Sequence, residues 1–354
     1  MNNSNTKPSS IKAVDLFCGA GGLTRGLLDT GIAVAAGYDV DSACEFAYEY
    51  NNAPAIFYCK DISKVTPDEV SNNLQGSCWK VLVGCAPCQP FSAYSRGAIN
   101  RDDERWSLLA EFLRLVRGTE PHVVSMENVA GLKKHDIFKS FLKELTELGY
   151  FIQTNEIYCP DYGIPQHRKR LVMLASKLGS IEIIPATCPK AKYVTVEDVI
   201  GGLPPIHAGQ THRSDPVHRA ATLSSINILR MEHSVPDGSW RDWPEELIAD
   251  CHKKVQGSTY SSVYGRMSWN KPSPTITTQF YGFGNGRFGH PDQNRAISLR
   301  EGAILQTFDE TYKFAPDARS INFRTLGRMI GNAVPVRLGQ VVGQSIVEHI
   351  KKNE

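Results

Sequence analysis

The sequence predicts a doubly wound, Rossmann-like α/β domain carrying a smaller irregular domain. Three observations support this. Short apolar runs alternate with stripes of helical period through the first half of the chain. A glycine-rich turn follows the first of those runs. From about Ile184 to Tyr264 the alternation gives way to Pro, Gly, His, Ser and Thr.

Ala13–Phe17 reads as the first strand, followed by a turn and a helix stopped near Gly31. Ile32–Tyr38 reads as the second strand, leading to a helix that Asp41 can cap. Val81–Cys85 and Val123–Met126 are continuous apolar runs of the kind buried in parallel sheets. Between them Leu108, Leu109, Phe112, Leu113, Leu115 and Val116 keep helical spacing. Asp136 can cap a further helix, with the stripe Ile137, Phe138, Phe141, Leu142, Leu145 and Leu148 and a stop at Gly149. Strands follow around Phe151–Tyr158 and Leu171–Ala175, and Gly282–Gly289 forms a second glycine-dense stretch. A helical pattern returns at Leu338–Ile350, which is expected to pack back on the first domain.

Over 354 residues, 41% hydrophobic and 21% charged composition is that of a soluble globular chain. No apolar run has membrane-spanning length, and Met1–Ser10 is polar, so a cytoplasmic protein without a membrane partner is expected. Nine irregularly spaced cysteines read as reduced thiols. Residues 1–164 carry 15 Lys+Arg against 20 Asp+Glu, whereas residues 165–354 carry 24 against 17. That asymmetry suits a small ligand at one end and a polyanion at the other; a chance scatter of exposed charges reads the same way.

In a doubly wound sheet, ligands bind at the carboxyl ends of the strands. Phe17, Asp39, Asp61, Cys88 and Glu127 all fall at or just after the ends of predicted strands. The turn in Asp15-Leu-Phe-Cys-Gly-Ala-Gly-Gly22 lets backbone approach a ligand, but it is neither a P-loop nor Gly-x-Gly-x-x-Gly. Asp39 is placed for two ribose hydroxyls; a helix cap or turn role is the alternative for it and for Asp61. Cys85 and Cys88 form Cys-x-x-Cys, yet no second pair exists for zinc, and Pro87 and Pro90 disfavour a helix start, so a lone nucleophilic Cys88 fits better. If Gln166–Arg170 is extended, Gln166, Arg168 and Arg170 share one face, with the two guanidinium groups side by side. A solvated basic turn is the alternative.

Together these residues resemble the cytosine-5 DNA methyltransferase family, in family order and over nearly the whole chain. The motifs are residues 15–22, Asp61-Ile62, Pro87-Cys88-Gln89, Glu127-Asn128-Val129 and Gln166-x-Arg168-x-Arg170. They continue with Pro-Ser-Pro-Thr-Ile-Thr-Thr at 272–278, Arg300-Glu301 before Leu-Gln-x-Phe, and Gly-Asn-Ala-Val-Pro at 331–335. Asp39 where Glu is usual, Cys85-Ala86 before Pro-Cys, and Phe308-Asp309 where Phe-Pro is common are departures.

The resemblance implies an S-adenosylmethionine-dependent methyltransferase domain at 1–184 plus 322–354 and a target-recognition domain at 185–321. It implies base flipping, addition of the Cys88 thiolate to carbon 6, and hydrogen bonding between Glu127 and both N3 and the exocyclic amine, the amine donating. Arg170 would hold O2, and Arg168 the flipped nucleotide's phosphate and the Glu127 carboxylate. Phe17 would stack on adenine, Asp39 hold the ribose, and Asp61-Ile62 read the adenine edge. Gly19, Gly21 and Gly22, with Asn332 and Ala333, would complete the cofactor site. The loop from Pro87 to about Trp106 resembles the family's mobile loop. S-adenosyl-L-homocysteine is the expected product, and no metal is expected. The partners implied are duplex DNA and a cognate restriction endonuclease, the protein being a monomer. His207, His212, His218, His233, Arg213, Arg219, Arg230, Arg266 and Arg287 are the candidates for phosphate and guanine contacts. Methylation of transfer RNA, or a silent DNA-binding homologue, are the rival readings.

Overall fold

The structure, a computed structural model, describes residues 10–87, 107–254 and 257–354. It divides into two compact units. The first takes the chain up to Tyr158, then Lys169–Ala186 and Val334–Glu354; the second takes Cys159–Arg168 and Thr187–Ala333.

The strands of the first unit are β1 (Ile11–Leu16), β2 (Ala33–Asp39), β3 (Ile56–Cys59), β4 (Trp79–Gly84), β5 (Val123–Val129) and β6 (Phe151–Tyr158). The chain then makes β7 (Gln166–His167) in the second unit and returns as β8 (Lys169–Ser176). The seven-stranded sheet runs β3-β2-β1-β4-β5-β8-β6. β1 to β5 are parallel, and β8 is antiparallel to both its neighbours. Strand order reverses between β1 and β4, which opens a crevice beyond their carboxyl ends. There Leu16 lies opposite Gly84, where a Cβ would come 2.8 Å from the Leu16 carbonyl oxygen.

Helices α1 (Gly22–Asp29), α2 (Glu45–Asn52), α3 (Pro67–Asn73), α4 (Ser107–Thr119) and α5 (Asp136–Glu147) connect the strands. Val14, Leu16, Leu82, Val124, Met126 and Met173 on one sheet face pack against Phe112, Val116, Phe138 and Phe141 of α4 and α5. Each such side chain contributes about 1.5–3 kcal/mol through burial. Asp41 does cap, accepting from the Ala43 amide ahead of α2. Asp136 does not. His135 occupies the cap position and Asp136 opens the first turn, paired with Lys139, where a carboxylate suits the helix dipole.

The second unit has short helices α6 (Val196–Ile200), α7 (Ser225–Glu232), α8 (Asp250–Lys253), α9 (Leu299–Leu305) and α10 (Phe323–Asn332), and, among the described residues, a two-stranded sheet of β7 and β9 (Ser273–Pro274). Met231, Trp240, Trp243, Leu247, Phe283 and Ala296 form its apolar core. Beside that core stands a polar one. Buried Arg295 donates to both oxygens of Glu301 at 2.7 Å, and the Ser298 amide donates to Oε2 at 2.6 Å. Burial alone would raise the Glu301 pKa, but Arg295 outweighs it and the value falls to about 2. Burial also pushes His290 down to about 4, against the pull of Glu301.

The closing helix α11 (Val336–Asn353) belongs to the first unit, as its apolar period leads one to expect. It packs on α1 through glycines: a Cβ on Gly26 would meet the Val336 carbonyl oxygen at 2.4 Å, and one on Gly339 the Leu23 carbonyl oxygen at 2.9 Å. Ser345 accepts from the Ile184 amide, and His349 bonds Ser176 at 2.7 Å. α10, expected in the first domain, groups instead with the second unit. Its buried face meets Thr277, Thr278 and Tyr281, all in that unit. Among the described residues no helix is long and apolar enough to cross a membrane.

Candidate active site

At the end of β1 the chain turns sharply. Phe17 has φ 60°, a left-handed conformation that costs a residue bearing a Cβ about 1–3 kcal/mol. Gly19 and Gly21 follow at φ 51° and 89°, where glycine carries no such penalty. Asp39, closing β2, fastens this turn: Oδ2 accepts from the Gly19 amide at 2.8 Å and Oδ1 from the Asp41 amide at 2.9 Å. Burial raises the Asp39 pKa, and the amide bonds restrain the rise. The amides that restrain it are those of Asp41, Gly19 and Val40.

Asp61 is a cap as well. Its Oδ1 accepts from the Ser63 amide at 3.0 Å and hydroxyl at 2.9 Å, and those bonds hold the exposed carboxyl below its ordinary range. The Ile62 side chain is buried in the core, and its carbonyl is taken by Arg114 and the Val65 amide. Its backbone N–H is the group through which it can read a ligand edge.

Beneath the turn lies Asp15, a residue that the motif contains but that sequence reasoning gave no role. It is 1% exposed, accepts from the Thr24 hydroxyl at 2.7 Å, and its Oδ1 meets no donor among the described residues. Burial raises its pKa from 3.8 to about 7. The folded state therefore holds a proton that the unfolded state has released, and stability declines as pH rises from about 4 to about 7. Asp15→Asn should flatten that decline by about 2–3 kcal/mol between pH 5 and 7. Denaturant midpoints of both proteins at the two pH values check this; parallel shifts would refute it.

Beyond β4 and β5 the first unit gathers its reactive groups. Glu127, 4% exposed, lies inside β5, which runs three residues past its expected end. Antiparallel pairing with β8 carries the strand on to Val129, opposite Arg170. Cys85 donates its thiol to Glu127 Oε2 at 2.8 Å. Arg170 Nε lies 2.9 Å from Oε1, but its N–H is not directed at that oxygen, which accepts no hydrogen bond among the described residues. The Asn128 amide holds the Ala86 carbonyl at 3.0 Å, and the Cys85 amide donates to Leu16 at 3.2 Å. Cys88 itself, with most of the loop up to Trp106, lies outside the described residues. No disulfide joins the described cysteines.

The segment holding Gln166, Arg168 and Arg170 is divided between two ladders, with Gln166 and Arg168 bonded to each other. β7 ends at His167 and β8 begins at Lys169, so the chain changes pairing partner at Arg168. Arg168, buried in the second unit, donates to the Ile276 carbonyl at 3.2 Å and to Gln166 Oε1 at 3.3 Å. Arg170 belongs to the first unit and is the arginine that pairs with Glu127. Gln306, seen in the sequence only as part of a motif, is a buried hub of the second unit. Its amide donates to the Ile330 carbonyl at 2.7 Å and the Ala333 carbonyl at 3.2 Å, and it accepts from Gln166 at 2.9 Å. It thereby shapes the turn that holds exposed Asn332 and buried Ala333.

Among the candidates for DNA contact, Arg266 and His218 are buried and serve the fold, whereas Arg219, Arg230 and Arg287 are half-exposed and also make contacts within it. Buried Arg266 donates to the carbonyls of His290, Pro291 and Met231. His218 is buried between Ser298 and the Pro204 carbonyl, and Arg230 donates to Leu247 while covering Trp243. Arg287 donates to the Gly238 carbonyl and Arg219 covers Phe323. His207, Arg213 and His233 are exposed.

Known proteins match this chain over nearly its full length. A Type II methylase of Herpetosiphon aurantiacus, M.HgiDII, is 52% identical over 336 residues, covering 94% of each chain. A Type II methyltransferase of Haemophilus parahaemolyticus, M1.HphI, is 30% identical over 96% of this chain and 87% of its own. The fold matches that of the S. pombe Dnmt2 methyltransferase, with a TM-score of 0.63 at 17% identity over 97% of this chain and 99% of the other. The family profile described as C-5 cytosine-specific DNA methylase matches residues 11–348. A sheet that delivers Cys85-Ala-Pro and Glu127 to one end of adjacent strands thus has the relatives its motifs imply, and the chain belongs to the C-5 cytosine-specific DNA methylase family.

Proposed function

We propose that the protein transfers a methyl group from S-adenosylmethionine to carbon 5 of a cytosine flipped out of a specific duplex DNA sequence. The observation that carries this is Glu127: a buried carboxylate at the strand ends, with one oxygen held by Cys85 and the other without a directed donor. A buried acceptor in that condition is costly unless a ligand completes it. Glu127 can accept from the exocyclic amine of cytosine and share a proton with N3, which neutralises the charge that addition at carbon 6 places on the ring, and Arg170 beside it can hold O2. That polarisation makes carbon 6 open to addition of the Cys88 thiolate, which turns carbon 5 into a nucleophile. After methylation the carbon 5 proton leaves and the thiol is eliminated.

The first unit also fits the cofactor, which supplies an electrophilic methyl group on sulfur. Asp39 stands at the end of β2 as a buried carboxylate for the ribose, Phe17 is held at the mouth of β1, and the turn between them, fastened through the Gly19 amide on Asp39 and the Gly21 amide on the Cys18 carbonyl, brings Gly22 backbone close to a ligand. Asp61 and the Ile62 amide fit the adenine edge. For Arg168, Asn332 and Ala333, in the second unit, the assignment rests on the motifs. Asp39→Ala should weaken S-adenosylmethionine binding about 10- to 100-fold, because two charge-assisted bonds go and the Gly19 turn loosens with them. Calorimetric titration checks it, with DNA affinity measured without cofactor expected to be unchanged.

The second unit is proposed to recognise the target sequence, and the kinship with Type II methylases supports a cognate restriction endonuclease as partner. Bisulfite sequencing of a plasmid from cells expressing the protein tests the proposal. Methylation of one cytosine in a recurrent short sequence is expected. Transfer RNA methylated in preference to the duplex would overturn it.

A further inference from the structure

We propose that Cys85 is a positioning residue for Glu127, resting on the catalytic reading above. Its thiol holds Oε2 and thereby keeps Oε1 presented to the substrate base. The geometry has three parts. Cys85 is pinned from both sides, through its own amide to Leu16 and through the Ala86 carbonyl to Asn128. Its sulfur reaches Glu127 Oε2 at 2.8 Å. On the far side Arg170 Nε stands 2.9 Å from Oε1 without a directed hydrogen bond.

An arginine and a carboxylate this close have an obvious alternative, the planar pair in which both oxygens face the guanidinium fork. In that arrangement both oxygens of Glu127 are turned to Arg170, and the carboxylate is poorly aimed at a base. The Cys85 thiol opposes this rotation by engaging Oε2. A thiol is a weak donor, so it orients the carboxylate without the grip of a second cation. This also gives a physical use to the Cys85-Ala86 departure before Pro87.

The test compares Cys85→Ala, Cys85→Ser and Glu127→Gln in the full-length protein. Two reactions are read: methyl transfer to unmethylated plasmid DNA, and cofactor-free release of tritium from carbon 5 of labelled cytosine in that plasmid. The second reports addition to carbon 6 without methyl transfer. Cys85→Ala should lower kcat and tritium release together by about 10- to 100-fold. KM for DNA, S-adenosylmethionine affinity and thermal midpoint should change little. Cys85→Ser, which retains a donor, should recover activity to within a few-fold of the parent. If Cys85→Ala leaves both rates intact while Glu127→Gln abolishes them, positioning by Cys85 is wrong and the catalytic reading survives. Equal losses in Cys85→Ala and Cys85→Ser would overturn the donor argument in favour of packing alone. If Glu127→Gln releases tritium at the parental rate, the catalytic reading itself fails.

Discussion

Cys88→Ser is expected to abolish methyl transfer to plasmid DNA, a fall of about 10⁴-fold or more, with S-adenosylmethionine affinity within about twofold of the parent. A thiol with an ordinary pKa near 8.5 is partly ionised at neutral pH, whereas a serine hydroxyl is not ionised to any useful extent. Cys88 follows a backbone that is fixed immediately before it, with the Cys85 amide on Leu16 and the Ala86 carbonyl on Asn128. Initial rates and calorimetry on the purified variant check both halves of the prediction. Were Cys85→Ser the variant that loses all activity while Cys88→Ser kept it, the nucleophile would be misassigned.

Glu301→Ala destabilises the protein by about 3–5 kcal/mol, because Arg295 is left with its charge buried and its partner gone. With its pKa near 2 in the folded state, Glu301 contributes that stability above about pH 4.5 and loses it as pH falls towards 2. Urea titration at pH 7 measures the cost. Replacing Arg295 and Glu301 together by apolar residues should cost less than removing Glu301 alone, since no charge is then stranded.

The strands and helices of the first unit were legible because burial there leaves a periodic signature. Val14, Leu82 and Val124 stand in continuous apolar runs, and Phe112, Val116, Phe138 and Phe141 recur at helical spacing. Short polar groups near strand ends were legible as candidates but not as geometry. That Asp39 grips Gly19 depends on a turn closed by long-range strand pairing, which no local pattern encodes. The break at Arg168 was invisible for the same reason: two consecutive extended segments look continuous in sequence while pairing with β9 and with β5 and β6. In the second unit buried charges replace apolar periodicity. Arg266 and His218 therefore looked available for DNA although carbonyls and hydroxyls of the fold consume them.

The docking of α11 onto α1 has a consequence for biosynthesis. The two helices meet through Gly26 and Gly339, yet α1 ends at Asp29 and α11 begins at Val336. At translation rates of about 5–20 residues per second, the glycine-lined face of α1 waits roughly 15–60 s for its cover. Throughout that interval the face of α1 around Leu23 and Gly26 lacks its cover, while the whole second unit is being made. Ribosome-bound chains stalled before Val336 should accordingly bind chaperones, and release should coincide with emergence of α11 from the exit tunnel.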